Sequence, residues 1–192
     1  LHGQQSLEPA HSREPMSYYG AGSGVAIALG QAQAFYGEKA RIGIVGLGTG
    51  TLACFYKPGE DWRFFEIDPA VLAYSRNGTF TFVSQCAPKA KVVLGDARID
   101  LARMPGASLD ILAVDAFSSD AIPLHLMTDE AFAVYMNTLG PRGLLLVHIS
   151  NRYIELEPVL AAVAKKRGLA VAKRDDNPAD RAHRIEMVQV EQ

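Results

Sequence analysis

The stretch Arg41-Ile-Gly-Ile-Val-Gly-Leu-Gly-Thr-Gly50 decides how this chain reads. A short apolar run enters a turn with glycines at 46, 48 and 50, and a helix-like segment follows. Phe64-Phe65-Glu66-Ile67-Asp68 then ends a second apolar run in acids, with Glu66 about 20 positions beyond Gly46. Strand, glycine turn, helix, strand and terminal acid make the β-α-β arrangement that holds an adenosine. The glycines let the backbone approach the ligand, and the acid accepts from the ribose hydroxyls.

Outward from this unit, strands are expected at 41–46, 63–67, 91–95, 109–115 and 143–149. Helices are expected at 50–56, 69–77, 128–138 and 154–167, and the Ala- and Gly-rich run from Ser17 to Tyr36 reads as a helix leading into the first strand. Runs such as Leu109-Asp-Ile-Leu-Ala-Val114 and Gly143-Leu-Leu-Leu-Val147 are apolar almost throughout, which suits parallel strands covered on both faces. The alternation predicts an open, doubly wound α/β sheet. Leu169–Lys173 and Ile185–Val190, separated by a polar turn, predict an antiparallel pair at the end. We divide the chain into a segment 1–40 on the substrate side and a Rossmann-like nucleoside-binding domain 41–192.

Bulk properties narrow the classes. At 192 residues, with 48% hydrophobic and 21% charged positions, the chain reads as one globular domain with a sizeable core. A net charge of −2 carries no nucleic-acid footprint. No apolar run is long enough for a bilayer span, and no secretory pattern is present, so a cytoplasmic location is expected. Cys54 and Cys86 read as buried reduced thiols rather than a disulfide. No Cys/His cluster has zinc-ligand spacing, so no metal is expected. The chain begins at Leu1 without an initiator Met and reads as an excised domain.

Ligands of such sheets bind beyond the carboxyl ends of the strands. Those ends read Gly46-Leu-Gly-Thr-Gly50, Glu66 and Asp68, Gly95-Asp96-Ala97, Asp115-Ala-Phe-Ser-Ser-Asp120, and His148-Ile-Ser-Asn-Arg-Tyr153. Any single acid here reads as a helix cap or solvated turn; together they read as a site. A pyrophosphate asks for basic groups and helix N-termini, whereas this row is acidic. It suits a cationic nucleoside such as S-adenosylmethionine, with Glu66 on the ribose and Asp96 on the adenine amino group. Elsewhere the plain readings prevail. His125 is half-buried packing, His11 and His183 are exposed, and Tyr74, Phe80 and Phe82 belong to the core. Lys165-Lys-Arg167 is a solvated helix end before Gly168.

With these residues in view, the chain resembles the spermidine synthase family, especially its bacterial spermidine synthase-like branch, whose domains are similar to class I S-adenosylmethionine-dependent methyltransferases. The resemblance runs over almost the whole chain, through His2-Gly-Gln-Gln5, Pro15-Met-Ser-Tyr-Tyr19, the 46–50 turn, Glu66-Ile-Asp68, Gly95-Asp96-Ala97, Asp115 to Asp120 and His148 to Tyr153. It implies a mostly parallel seven-stranded sheet. It implies aminopropyl transfer from decarboxylated S-adenosylmethionine to an amine, with Gly46, Gly48, Thr49, Gly50, Glu66, Asp68, Asp96 and Ala97 on the nucleoside. Asp115 would be the base, Asp120 the carboxylate that orients the amine, and Tyr19 a further catalytic group. Tyr18, Tyr19, Asp120, His148 and Gln5 would line the amine side. His2 is a further candidate there, and Ser118 and Ser119 read as loop structure. The resemblance also implies a homodimer. Because the branch includes proteins fused to membrane segments, such a segment in a longer parent chain is left open.

Three departures bear on the reaction. Users of the decarboxylated cofactor typically carry Gly-Gly-Gly-Asp-Gly in the first turn, and the aspartate is Thr49 here. Unit charges about 4 Å apart interact by roughly 4 kcal/mol at an intermediate dielectric, so its loss bears on cofactor choice. Asp115 and Asp120 are five apart, where the family has Asp-x-x-Asp-Pro. A glutamine after the fifth strand is His148. The alternatives are therefore methyl or aminocarboxypropyl transfer from intact S-adenosylmethionine, or a non-catalytic nucleoside-binding module.

Overall fold

The structure is a computed structural model that describes residues 3–16, 19–116, 123–149 and 155–174. Two short helices, α1 (Gly24–Gly30) and α2 (Ala32–Tyr36), lead into β1 (Arg41–Val45). A 3-10 helix, Thr51–Phe55, and β2 (Asp61–Glu66) follow. Next come α3 (Pro69–Arg76), α4 (Phe82–Cys86), β3 (Lys91–Leu94), α5 (Ala97–Ala102) and β4 (Leu109–Val114). A single 3-10 turn, Leu124–Leu126, precedes α6 (Asp129–Thr138), β5 (Leu139–Val147) and α7 (Glu157–Arg167).

The described strands form one sheet in the order β3-β2-β1-β4-β5, and every pairing is parallel. This corrects the expected seven strands to five among the described residues. It also removes the first half of the expected antiparallel pair: residues 169–173 carry no strand, and 185–190 lie outside the described residues. The helix expected over 17–36 is two helices that share Gln31 as end cap of one and start of the other. The segment after the glycine turn is 3-10 rather than α-helical. Helices α4 and α5 were not anticipated; each is five or six residues long, too short for a 3.6-residue period to show.

The central strands are buried on both faces, as their apolar runs require. Side-chain alternation divides them between two layers. Ile42, Ile44, Trp62, Phe64, Ile111 and Ala113 pack with Leu29, Ala32, Leu52 and Ala53 from α1, α2 and the 51–55 helix. Phe65, Leu112 and Val114 pack on the other face with Leu101 of α5 and with Ala131, Phe132 and Tyr135 of α6. Leu109 breaks the alternation and joins this second face, because the pairing of β4 with β5 shifts register between Leu109 and Ile111. Phe82 is fully buried, but Tyr74 is 49% exposed and only edges Phe80, so Tyr74 is not core. Burying each large aromatic side chain contributes about 2–3 kcal/mol.

Short polar side chains start the helices. Ser23 accepts from Ala26 N, Asp68 from Ala70 N, Asp96 from Ile99 N and Thr128 from Ala131 N. Gly168, in the left-handed region, closes α7. Cys54 and Cys86 are joined in a disulfide, with Cα atoms 4.8 Å apart. This corrects the expectation of two reduced thiols. The bond fastens the 51–55 helix to α4, a contact between segments far apart in sequence that spacing alone does not reveal.

Candidate active site

Strand register lines up the carboxyl ends: Val45 lies beside Phe65 and Val114, Glu66 beside Leu94, and Val114 beside Val147. The hydrogen-bonded ladder then continues one residue past β1, β3, β4 and β5. Gly46 N donates to Phe65 O, Gly95 N to Glu66 O, Asp115 N to Val45 O and His148 N to Val114 O, at 2.8–3.0 Å. Gly46, Glu66, Gly95, Asp115 and His148 therefore stand in one row. The chain reverses its direction of travel across the sheet between β1 and β4, and this switch point is where such sheets open a crevice.

At the middle of the row, Gly46 has φ +96° and a Cβ there would lie 2.6 Å from the Asp115 carbonyl oxygen. Only glycine lets the turn pass so close to the end of β4. Glu66 is 7% exposed, and its two carboxylate oxygens accept from Leu47 N at 2.9 Å and Asp68 N at 2.8 Å. It thus braces the glycine turn as well as facing the row. Thr49 is buried, shares a 2.7 Å hydrogen bond with Thr51, and is covered by Gly3, where an added Cβ would lie 2.7 Å from the Thr49 hydroxyl. Gly48 and Gly50 also have positive φ, and Val83 of α4 closes on Gly50.

Asp68 and Asp96 both serve as helix caps, the plain reading of an acid at a strand end. The other oxygen of Asp96 lies 3.5 Å from His125 Nε2. His125 is exposed rather than half-buried packing, and its placement beside Asp96 is one that sequence reading missed. Ala97, the first residue of α5, is buried against the second layer.

The acceptor side centres on Asp115. Its Oδ2 accepts from the Tyr19 hydroxyl at 2.7 Å, and its Oδ1 lies 2.6 Å from His148 Nδ1. The Tyr19 and His148 rings meet edge to face, with centroids 6.5 Å apart. Three segments far apart in sequence thus converge on one carboxylate, whose side chain is 11% exposed. Gln5 goes elsewhere: its amide donates to Ser12 O and Thr81 Oγ1 and accepts from Thr81 N, pinning the N-terminal segment to the start of α4. Tyr18, Asp120, His2, Ser118 and Ser119 lie outside the described residues. Among the described residues no group of three or more His, Cys, Asp or Glu is placed to hold a metal ion, and no helix is long and apolar enough to cross a membrane. A hollow of about 450 Å³ at the opposite ends of the strands is lined by Tyr36, Arg41, Asp110 and Arg142. There Asp110 already binds the Arg41 guanidinium at 2.6 Å and its backbone N–H.

A Rossmann-like sheet with this order and an acidic, glycine-turned carboxyl edge defines a class I methyltransferase-like fold. No family model matches the chain. A polyamine aminopropyltransferase from Vibrio vulnificus (strain CMCP6) is 34% identical over 120 residues, 59% of this chain and 39% of the relative. The crystal structure of a probable spermidine synthase from Corynebacterium glutamicum ATCC 13032 superposes with a TM-score of 0.57 at 24% identity, over 70% of this chain and 48% of that one. A precorrin-6y C5,15-methyltransferase from Geobacter metallireducens GS-15 superposes at 0.54 with 14% identity, over 76% and 70% of the two chains. The chain spans less than half the length of the first two. By these likenesses the chain has a class I methyltransferase-like fold and is similar over part of its length to a polyamine aminopropyltransferase.

Proposed function

We propose that this domain transfers an aminopropyl group from decarboxylated S-adenosylmethionine to a small-molecule amine. The observation that carries the reading is the Asp115 carboxylate. It is held by Tyr19 and His148 at the end of β4 and in backbone contact with the glycine turn. A nucleoside seated over Gly46–Gly50, with Glu66 at its ribose and Asp96 at its adenine, brings its sulfonium toward Asp115. The amine nitrogen attacks the methylene beside sulfur, the C–S bond breaks, and neutral methylthioadenosine leaves. Orientation of the amine in line with that bond is the main contribution asked of the protein. The Asp115 group removes the amine proton. Asp68, Ala97, Tyr18 and Asp120 remain proposed contributors to the same two subsites, and a homodimer remains the proposed assembly.

Thr49 favours a second reading. Without a carboxylate in the turn, nothing there repels the carboxylate of intact S-adenosylmethionine, so methyl or aminocarboxypropyl transfer becomes the alternative. A mass-spectrometric assay with putrescine and each sulfonium separates them. Methylthioadenosine plus spermidine from the decarboxylated form establishes aminopropyl transfer. Product from the intact form alone rejects it, and the by-product names the group: S-adenosylhomocysteine for methyl, methylthioadenosine for aminocarboxypropyl.

A further inference from the structure

We propose that residues 3–16 are a strap laid over the nucleoside turn and that Gln5 is its latch, a positioning residue for the sulfonium nucleoside. The proposal rests on the nucleoside reading of the 46–50 turn and holds whichever group is transferred.

The strap carries no helix or strand. Its turns close on themselves, His11 N donating to Glu8 O and Glu14 N to His11 O. Apolar burial does not hold it down, since Leu7 is 98% exposed and Met16 36%. Fastening falls to Gln5. Its amide donates to Thr81 Oγ1 at 2.8 Å and to Ser12 O at 2.7 Å, and its Oε1 accepts from Thr81 N at 2.9 Å. One side chain thus gathers the strap and ties it to the residue that starts α4, whose own side chain makes no cap there. Gln85 adds longer contacts, accepting from Ser12 Oγ at 3.2 Å and from Arg13 Nε at 3.4 Å.

The helix α4 is a fixed post. Phe82 is fully buried, Val83 would lie 2.8 Å from a Cβ on Gly50, and Cys86 is bonded to Cys54 in the helix that follows the turn. The other end of the strap reaches the turn itself. Gly3, two residues before Gln5, packs on Thr49, where an added Cβ would lie 2.7 Å from the hydroxyl. Anchorage by hydrogen bonds without apolar burial opens locally while the core stays folded. It suits a cover that lifts to admit a nucleoside and closes to hold it. Loss of the latch lowers the closed fraction, and apparent affinity falls in proportion to that fraction. The Gln5 hydrogen bonds go to Ser12 and Thr81 rather than to the group around Asp115, so the amine side should not respond.

Calorimetric binding of methylthioadenosine to the full chain, with amide exchange followed in the strap, tests this. Methylthioadenosine is the nucleoside without the charged tail, so the choice between sulfoniums does not enter. It should slow exchange of the strap amides in the native protein. Q5A should bind it about tenfold more weakly, a loss that one or two such hydrogen bonds supply, with an unliganded melting temperature close to native. G3A, which disturbs the cover at its other end, should weaken binding in the same direction. In turnover with putrescine, Q5A should raise the KM for the sulfonium and leave the KM for putrescine within about twofold, a split that a merely structural glutamine would not produce. Native affinity for methylthioadenosine in Q5A, or strap amides that exchange equally with and without it, overturns the proposal and leaves the nucleoside reading standing. A native protein that binds no methylthioadenosine overturns that reading, and this proposal with it.

Discussion

Single side chains make the narrowest claims on this site. Gly46 is a steric requirement: an added Cβ meets the Asp115 carbonyl at 2.6 Å, and φ is +96°. Strain of this kind costs about 1–3 kcal/mol before the clash is relieved. Gly46→Ala should therefore lower the urea midpoint by an amount equal to at least about 2 kcal/mol and weaken nucleoside binding. A stability loss within 0.5 kcal/mol, on the order expected of neutral surface changes, would refute the close-approach account. Thr49 is a chemical choice. Thr49→Asp puts a carboxylate in a buried turn and should shift preference toward the decarboxylated sulfonium by on the order of tenfold or more. The readout is the ratio of thermal stabilisation by the two sulfoniums, since a ligand that binds only the native state raises its melting temperature. An unchanged ratio would remove Thr49 from the argument on cofactor choice.

At the scale of elements, two acids separate structure from function. Asp96 caps α5 through Ile99 N, so Asp96→Ala should cost about 1 kcal/mol. Asp96→Ser keeps a capping hydroxyl but cannot reach an adenine. It should recover most of the stability while nucleoside affinity stays low; recovery of both would make Asp96 a cap alone. Asp129 ties α6 to α7 through Lys166 at 2.9 Å and Arg167 at 2.8 Å. Hydrogen bonds from Lys166, then Arg167, hold its pKa below the ordinary 3.8. A depressed folded-state value means that the contribution is complete above the unfolded pKa and disappears as pH falls through the folded one. Amide protection in α7 should thus hold down to about pH 4 and fall below it, while D129N lacks the tie at neutral pH. Equal protection in D129N and the native protein at neutral pH would show that the tie adds nothing, as for many exposed ion pairs.

For the whole molecule, the Cys54–Cys86 bond closes a loop of 32 residues that contains β2 and α3. The chain-entropy account assigns such a loop about 3–4 kcal/mol. The paired substitution Cys54→Ser with Cys86→Ser should lower unfolding free energy by about that amount in urea. A loss below about 1 kcal/mol would show that packing of α4 on the 51–55 helix suffices without it. Because α4 also closes on Gly50 and is pinned to Gln5 through Thr81, weaker nucleoside binding should accompany the stability loss.

What the sequence determined by itself was the run of the sheet and the contents of its edge. Val45, Phe65 and Val114 announce strands buried on both faces, and the glycines and acids that follow them are read directly, because the carboxyl ends of parallel strands necessarily face one way. Boundaries came within a few residues wherever an apolar run was long. Short helices were illegible, since five residues do not complete two turns, and so was the Cys54–Cys86 bond, because pairing depends on distance in space. Tyr74 and His125 were misplaced for the same reason: residue type indicates what could be buried, whereas the neighbouring layers decide what is. Only the tertiary structure joined Tyr19, Asp115 and His148, which lie 96 and 33 positions apart along the chain. Register aligned the ends of β4 and β5, and the N-terminal segment folded back over them. A contact of 2.6 Å then set the His148 ring against the Asp115 carboxylate, and that placement depends on geometry finer than sequence spacing can specify.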